Sequence, residues 1–394
     1  IFTTYQLSTE GLMKTPVSGF SVHDEKVWIS TEGGGVNILN KKNDSFSYLT
    51  RSDNKDGLSG NYTKPSAIDK EGNIWVPTFR EGLNKYNPKT KQFINIRYSS
   101  NNASSLLSND LRKVILEPDS GLWIIYQLHS LKISYLSFDN MKVTHFSAET
   151  YDFNISPQDY IFDAYRGDDD KLWFITSEKL FEFDINNKTF KLHSIPSQKG
   201  LSASTLCMDD DNTIWIGTFG NELIKFDTRN KSFTSYPDIL KSDIAEIYSI
   251  NWSNNGIWIG ANDGLYLFDK NSYKTSIFKE SDGTQGDVYY RLSTFKDDNG
   301  RLYFGGTGGF TIIEPNIINI NPIEPNTIVS DFYLDYKPVQ DINNLKISID
   351  ANNSATIRLN HNQQNFGLKI SSDNYLNSDK NQYKYRLRNY DKQW

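Results

Sequence analysis

Along most of the chain, apolar residues come in short strand-like runs broken by clusters of Asp, Asn and Gly, and helical spacing is absent. The runs repeat. A segment built around an aromatic residue recurs at Trp28, Trp75, Trp123, Trp173, Trp215, Trp258 and Tyr303, seven copies spaced by 47, 48, 50, 42, 43 and 45 residues. This period suits four-stranded propeller blades and is too long for most helical repeats.

Each unit reads as four strands. An apolar innermost segment, such as LRKVIL from Leu111 to Leu116 or Thr205 to Met208, leads into a turn like Asp69-Lys70-Glu71-Gly72-Asn73 or Asp297-Asp298-Asn299-Gly300. The second strand follows as IWVPT, LWFIT, IWIGT, IWIGA or LYFGG, apolar on both faces, as sheets packed on both sides require. Its aromatic ring is expected to fill the gap between blades. The third strand reads GVNIL, GLNKY, KLFEF, ELIKF, GLYLF or GFTII, and the fourth, SFSYL, QFINI, TFKLH or SFTSY, alternates as an outer strand should.

The seventh unit has no outer strand of its own, because Pro315, Pro322 and Pro325 follow its third. Phe2-Thr3-Thr4-Tyr5 matches Phe233-Thr234-Ser235-Tyr236 closely, so the N-terminal segment is expected to supply it and remove an open edge. The predicted fold is all-β: a seven-bladed β-propeller over residues 1–322, closed by its N-terminal strand. Residues 323–394 carry a different pattern, IVSDFYL, ATIRL, FGLKI and YKYRL, which predicts the N-terminal part of an immunoglobulin-like β-sandwich, truncated at residue 394.

Composition narrows the functions. Aromatic residues make up 14% of 394 residues, so large rings must fill the core, while a mean hydropathy of -0.58 describes a water-soluble chain. A net charge of -6 gives no electrostatic footprint for nucleic acid or an anionic membrane surface. The single cysteine, Cys207, excludes an internal disulfide and reads as a buried thiol. Without a starting Met or a long apolar stretch, the chain reads as a soluble piece of something longer.

The G-L-S-x-N linker at Gly57–Asn61, the W-I-G-T-x-G strand at Trp215–Gly220 and the G-L-x-x-F-D strand at Gly264–Asp269 resemble the two-component regulator propeller family. The tail YKYRLRNYDKQW, Tyr383–Trp394, resembles the triple-tyrosine (Y_Y_Y) domain that follows such propellers in hybrid two-component sensors. Departures fall at Trp123-Ile124-Ile125-Tyr126 and Trp173-Phe174-Ile175-Thr176, which lack the glycine, and at Tyr303, which replaces Trp. The resemblance implies the periplasmic part of an inner-membrane sensor histidine kinase of Bacteroides type, acting as a homodimer. It further implies an oligosaccharide ligand, signalling to glycan-utilisation genes, no cofactor and no catalysis in this part of the protein.

The residues themselves show no nucleophile elbow, P-loop or zinc-ligand spacing, and the five histidines are scattered. Asp168-Asp169-Asp170 and Asp209-Asp210-Asp211 occupy the turn between first and second strands, so they read as turn formers rather than metal ligands. Binding is expected at the channel mouth, on loops between second and third strands and between blades. Those loops carry Phe79, Arg80, Glu81, Tyr126, His129, Phe219, Asn221 and Glu222, and between blades Tyr62, Arg112, Tyr290 and Arg291. Aromatic faces pack on a pyranose, and Asn, Glu and Arg bond its hydroxyls. Asn61 and Asn109 read as turn makers. Two other readings stay open: a glycoside hydrolase or polysaccharide lyase using Glu81, Glu222, His129 and Tyr126, and a protein-binding scaffold.

Overall fold

The computed structural model describes residues 2–8, 11–53, 56–167, 169–198, 200, 202–242, 244–317, 326–338, 346–349, 355–373, 383, 385, 386 and 389. The chain divides into two units, residues 1–318 and 319–394, described here in turn.

The first unit contains seven four-stranded antiparallel sheets among its described residues. The third is typical: Leu111–Glu117, Gly121–Tyr126, Lys132–Ser137 and Val143–Ser147 pair in chain order. In the seventh, Tyr289–Lys296, Leu302–Gly306 and Gly309–Ile313 are joined by Phe2–Gln6, which pairs antiparallel with the last of them from Phe2↔Ile313 to Gln6↔Gly309. Innermost strands of successive sheets lie side by side, and that of the seventh lies beside Val17–His23 of the first. This is β-propeller architecture.

The turns show why the repeat needs its acid. Asp69 Oδ1 accepts from the N–H groups of Glu71 and Asn73, at 3.0 and 2.9 Å, and its Oδ2 accepts from Trp75 Nε1 at 2.9 Å. Asp209 repeats the set with Asp211, Thr213 and Trp215, and Asp297 with Asn299, Arg301 and the Tyr303 hydroxyl. One carboxylate thus shapes the turn and satisfies a buried ring donor six residues on. Elsewhere Glu117 accepts from Trp123 and Ser253 from Trp258, whereas Trp173 Nε1 has no hydrogen-bond partner among the described residues. The carboxylates of Asp209, Asp210 and Asp211 approach within 4.8 Å, but Asp209 is committed to this turn and to Lys270 at 3.2 Å. Asp169 pairs with Lys171 and Asp170 with Arg166, while Asp168 lies outside the described residues.

Each anchor ring is buried and shared with the next sheet. Trp28 packs with Ile74, Val76 and Tyr86, Trp215 with Ile247, Ile257 and Phe268, and Trp258 with Leu302 and Phe304. Tyr303 completes the set by packing with Val17, Phe20 and Ile29 of the first sheet. The core therefore consists of inter-sheet layers, and its hydrophobic stabilisation is spread around the molecule.

In the second unit Thr327–Leu334 pairs with Phe366–Ser372 and Lys337–Pro338, and Lys346–Ile349 pairs with Ala355–Arg358. Three of the four predicted strands are thus present. The fourth, through YKYRL, lies largely outside the described residues, and Tyr383, Tyr385 and Arg386 are exposed and not in a strand. Among the described residues, no helix is long and apolar enough to cross a membrane.

Candidate functional site at the channel mouth

A central cavity of about 610 Å³ is lined by the innermost strands of all seven sheets, with Val22, Ile68, Ile115, Ala164, Leu206, Ile250 and Phe295 among its walls. Innermost strands start where the blade-linking segments arrive, and antiparallel pairing brings the end of each second strand to that same side, as Leu111↔Tyr126 shows. Loops between second and third strands and linkers between sheets therefore share one face, the mouth.

A repeated irregularity points side chains at it. The pairing of first and second strands slips at Val17/Gly19, Leu111/Lys113, Ala203/Thr205 and Ile247/Ser249, and over a longer stretch at Tyr289/Thr294. The residues within these slips are Ser18, Arg112, Ser204, Tyr248 and a segment containing Tyr290 and Arg291. A bulge leaves its extra residue outside the ladder and re-aims the side chain. Ser18 Oγ donates to the Thr63 carbonyl and Ser204 Oγ to that of Ile247, at 2.6 and 2.7 Å, each at the start of the next sheet. Arg112 reaches the equivalent Phe162 carbonyl only at 3.5 Å.

Around Arg112 a contiguous stack forms. Its guanidinium lies 5.7 Å from the Phe162 ring centre, and Phe162 meets Phe219 edge-on at 5.5 Å. Arg291 covers Phe219 at 4.5 Å and Tyr248 at 5.1 Å, with Glu246 loosely paired at 3.9 Å. Burial pulls the Arg112 guanidinium down to about 10, with Asp163 opposing and the like charge of Arg291 reinforcing the shift. A second group lies on the same face. Glu32 and Lys64 pair at 2.5 Å, Lys64 and Arg80 lie 5.9 and 4.7 Å from the Phe79 ring, and burial, then Glu32, pushes the Tyr290 hydroxyl up to about 12. Arg80 is exposed at φ 69°, its N–H donating to Asp110 Oδ1 at 3.0 Å.

The structure thus brings together Arg112, Phe219 and Arg291 in one cluster and Phe79, Arg80 and Tyr290 in another; Tyr62 is 55% exposed beside them, its carbonyl accepting from the Phe79 N–H. Other expected site residues are placed differently. Tyr126 is enclosed, its hydroxyl donating to Ser134 Oγ and accepting from Leu107 N–H, at 2.9 and 3.1 Å. Asn221 is buried and pins the Leu240 backbone through both ends of its amide. Glu222, fully buried, accepts from Ser197, Ser235 and the Gln198 N–H, holding the linker between two sheets. These three brace loops. Glu81 forms an ion pair with Arg97, and His129 packs edge-on to Tyr126 at 5.4 Å, with burial, then Lys132, lowering its pKa. Asn61 and Asn109 accept from the N–H groups of Arg51 and Tyr98, ten and eleven residues earlier, and so tie separate loop segments together rather than making a local turn. Sequence reasoning missed Phe162, Tyr248, Glu246, Glu32 and Lys64, whose only signal is position beside the bulge or the start of a sheet.

The fold and its mouth define a β-propeller with a polar, aromatic-lined opening. Within that class, residues 197–220 match the two component regulator propeller family. The chain is similar to histidine kinase P4 of Formosa agariphila, 22% identical over 98% of this chain and 25% of that protein. Its fold matches the extracellular domain of the hybrid two component system BT3049 of B. thetaiotaomicron, with a TM-score of 0.72 and 19% identity over 96% of this chain and 49% of that one. It also matches virginiamycin B lyase of Staphylococcus aureus, with a TM-score of 0.60 and 13% identity over 79% of this chain and 98% of that one. The chain spans a quarter of the kinase and about half of the solved extracellular domain.

Proposed function

We propose that this chain is part of the periplasmic, ligand-sensing region of a hybrid two-component sensor, and that it binds an oligosaccharide at the channel mouth. The observation carrying this reading is the stack of Arg112, Tyr248 and Arg291, borne on bulges, with Phe162 and Phe219, which offers ring faces and charged donors together on one open face. On this reading the seven sheets form a single closed ring, supported by Tyr303 packing against the first sheet and by the Phe2–Gln6 strand. The second unit is then the beginning of an immunoglobulin-like triple-tyrosine domain that passes the effect of ligand binding towards the membrane.

A propeller hydrolase or lyase is disfavoured by the condition of its required groups. Glu222 is buried under three hydrogen bonds, Tyr126 is enclosed and Glu81 is ion-paired, so these three are not poised as acid or base, leaving only His129 of that set. Calorimetric titration of the complete extracellular region with a panel of neutral and acidic oligosaccharides, with products checked for cleavage, tests the proposal. Saturable binding without turnover is expected. Cleavage, or no binding across the panel, would overturn it.

A further inference from the structure

We infer that the Arg112 and Arg291 guanidiniums, mounted on Phe162, Phe219 and Tyr248, seat an acidic group of the bound sugar, either a carboxylate or a sulfate ester. This rests on the oligosaccharide reading above and specifies its ligand. The argument begins with an imbalance. Among the described residues no carboxylate forms an ion pair with Arg112, its Nε is a buried donor without a partner, and its two carbonyl contacts are long, 3.5 and 3.4 Å. The acid that acts on its charge, Asp163, is committed elsewhere. Asp163 bonds Lys113 Nζ at 2.8 Å and accepts from Thr205 Oγ1 and the Leu206 N–H at 3.0 Å each. Glu246 stands 3.9 Å from Arg291, too far for a good charge-assisted hydrogen bond.

Two cations therefore share one aromatic stack with too few anions, an arrangement that costs free energy until something negative joins it. Stacking explains how they persist. Aromatic faces hold both guanidiniums, and a ring contact uses the face of the fork while leaving N–H edges free for an oxyanion. A carboxylate or sulfate between the two edges would accept from both arginines, leaving the adjoining pyranose against Phe219. A neutral sugar has no such group and would leave the two like charges uncompensated.

The test titrates the complete chain with a galacturonate trimer, its methyl ester, a neutral galactose trimer and a sulfated galactose trimer. The expected result is binding of at least one acidic trimer about tenfold tighter than its neutral counterpart, a difference that shrinks at about 0.5 M salt. Arg291→Gln should abolish the difference, as should Arg112→Met if its unfolding midpoint shows it folded, whereas Arg229→Gln, on an exposed turn between third and fourth strands, should retain it. Because Arg291 is exposed, that variant is informative even if Arg112→Met does not fold. The two acidic trimers separate a carboxylate seat from a sulfate seat. Equal binding of neutral and acidic trimers would overturn the acidic seat and leave the sensor standing, as would a difference that survives Arg291→Gln. No binding of any trimer would overturn both.

Discussion

At the turn end of three of the sheets, the acid recurs and so do its contacts: Asp69, Asp209 and Asp297 each shape a turn and hold the aromatic ring six residues later. At the mouth end the backbone repeats, through a bulge near the start of the innermost strand, but its side chains are Ser18, Arg112, Ser204 and Tyr248. Repetition marks the groups that make any blade. Variation on a fixed backbone marks positions free to take up a ligand, and there Arg112 and Arg291 gather on Phe162, Phe219 and Tyr248.

This contrast can be broken by substitution. Trp215→Ala should have the largest effect, about 3–5 kcal/mol in urea unfolding, because it empties a layer between two sheets. Asp209→Ala should cost about 1–3 kcal/mol, leaving the Trp215 ring N–H and two turn donors unsatisfied. The neighbouring exposed Asp210→Ala should stay within about 0.5 kcal/mol; equal losses at the two positions would show that the turn contacts do not decide stability.

Acid should probe the interior of the fourth sheet. Glu182 is buried among His193, Lys171 and Lys231, at 3.3, 3.0 and 3.1 Å. The His193 hydrogen bond, helped by the two lysines against the effect of burial, holds its carboxyl well below the ordinary 4.5. The unfolded chain therefore takes the proton first. Stability from Glu182 is present above about pH 4.5 and lost as pH falls towards its folded value. Urea midpoints compared at successively lower pH should fall less steeply in Glu182→Gln than in the parent; parallel curves would remove Glu182 from the account. The smallest effect belongs to Arg80→Ala. Exposed and, among the described residues, tied through its backbone N–H and Phe79, it should change stability by less than about 0.5 kcal/mol. It should weaken sugar binding less than Arg291→Gln does.

Much of this was legible in the sequence. The aromatic period located every second strand, the Asp-rich turns marked where it begins, and the likeness of Phe2–Tyr5 to Phe233–Tyr236 placed the strand that pairs with Gly309–Ile313. The mouth was half legible. Loop membership identified Arg112, Phe219 and Arg291, but could not show that Tyr126, Asn221 and Glu222 turn inward, because a loop's polar groups must also satisfy its own backbone. Nor could it single out Phe162 or Tyr248. A bulge changes facing by a one-residue slip and leaves no mark in apolar alternation.

The pairing of Phe2–Gln6 with Gly309–Ile313 has a mechanical consequence. Because the strands are antiparallel, Phe2 and Ile313 lie opposite each other, at the same end of the ladder. A pull exerted between these two residues would load the backbone hydrogen bonds one after another, as a zipper is opened, rather than all at once in shear. Tension between these two residues would be borne first by the Phe2↔Ile313 pair and pass on towards Gln6↔Gly309.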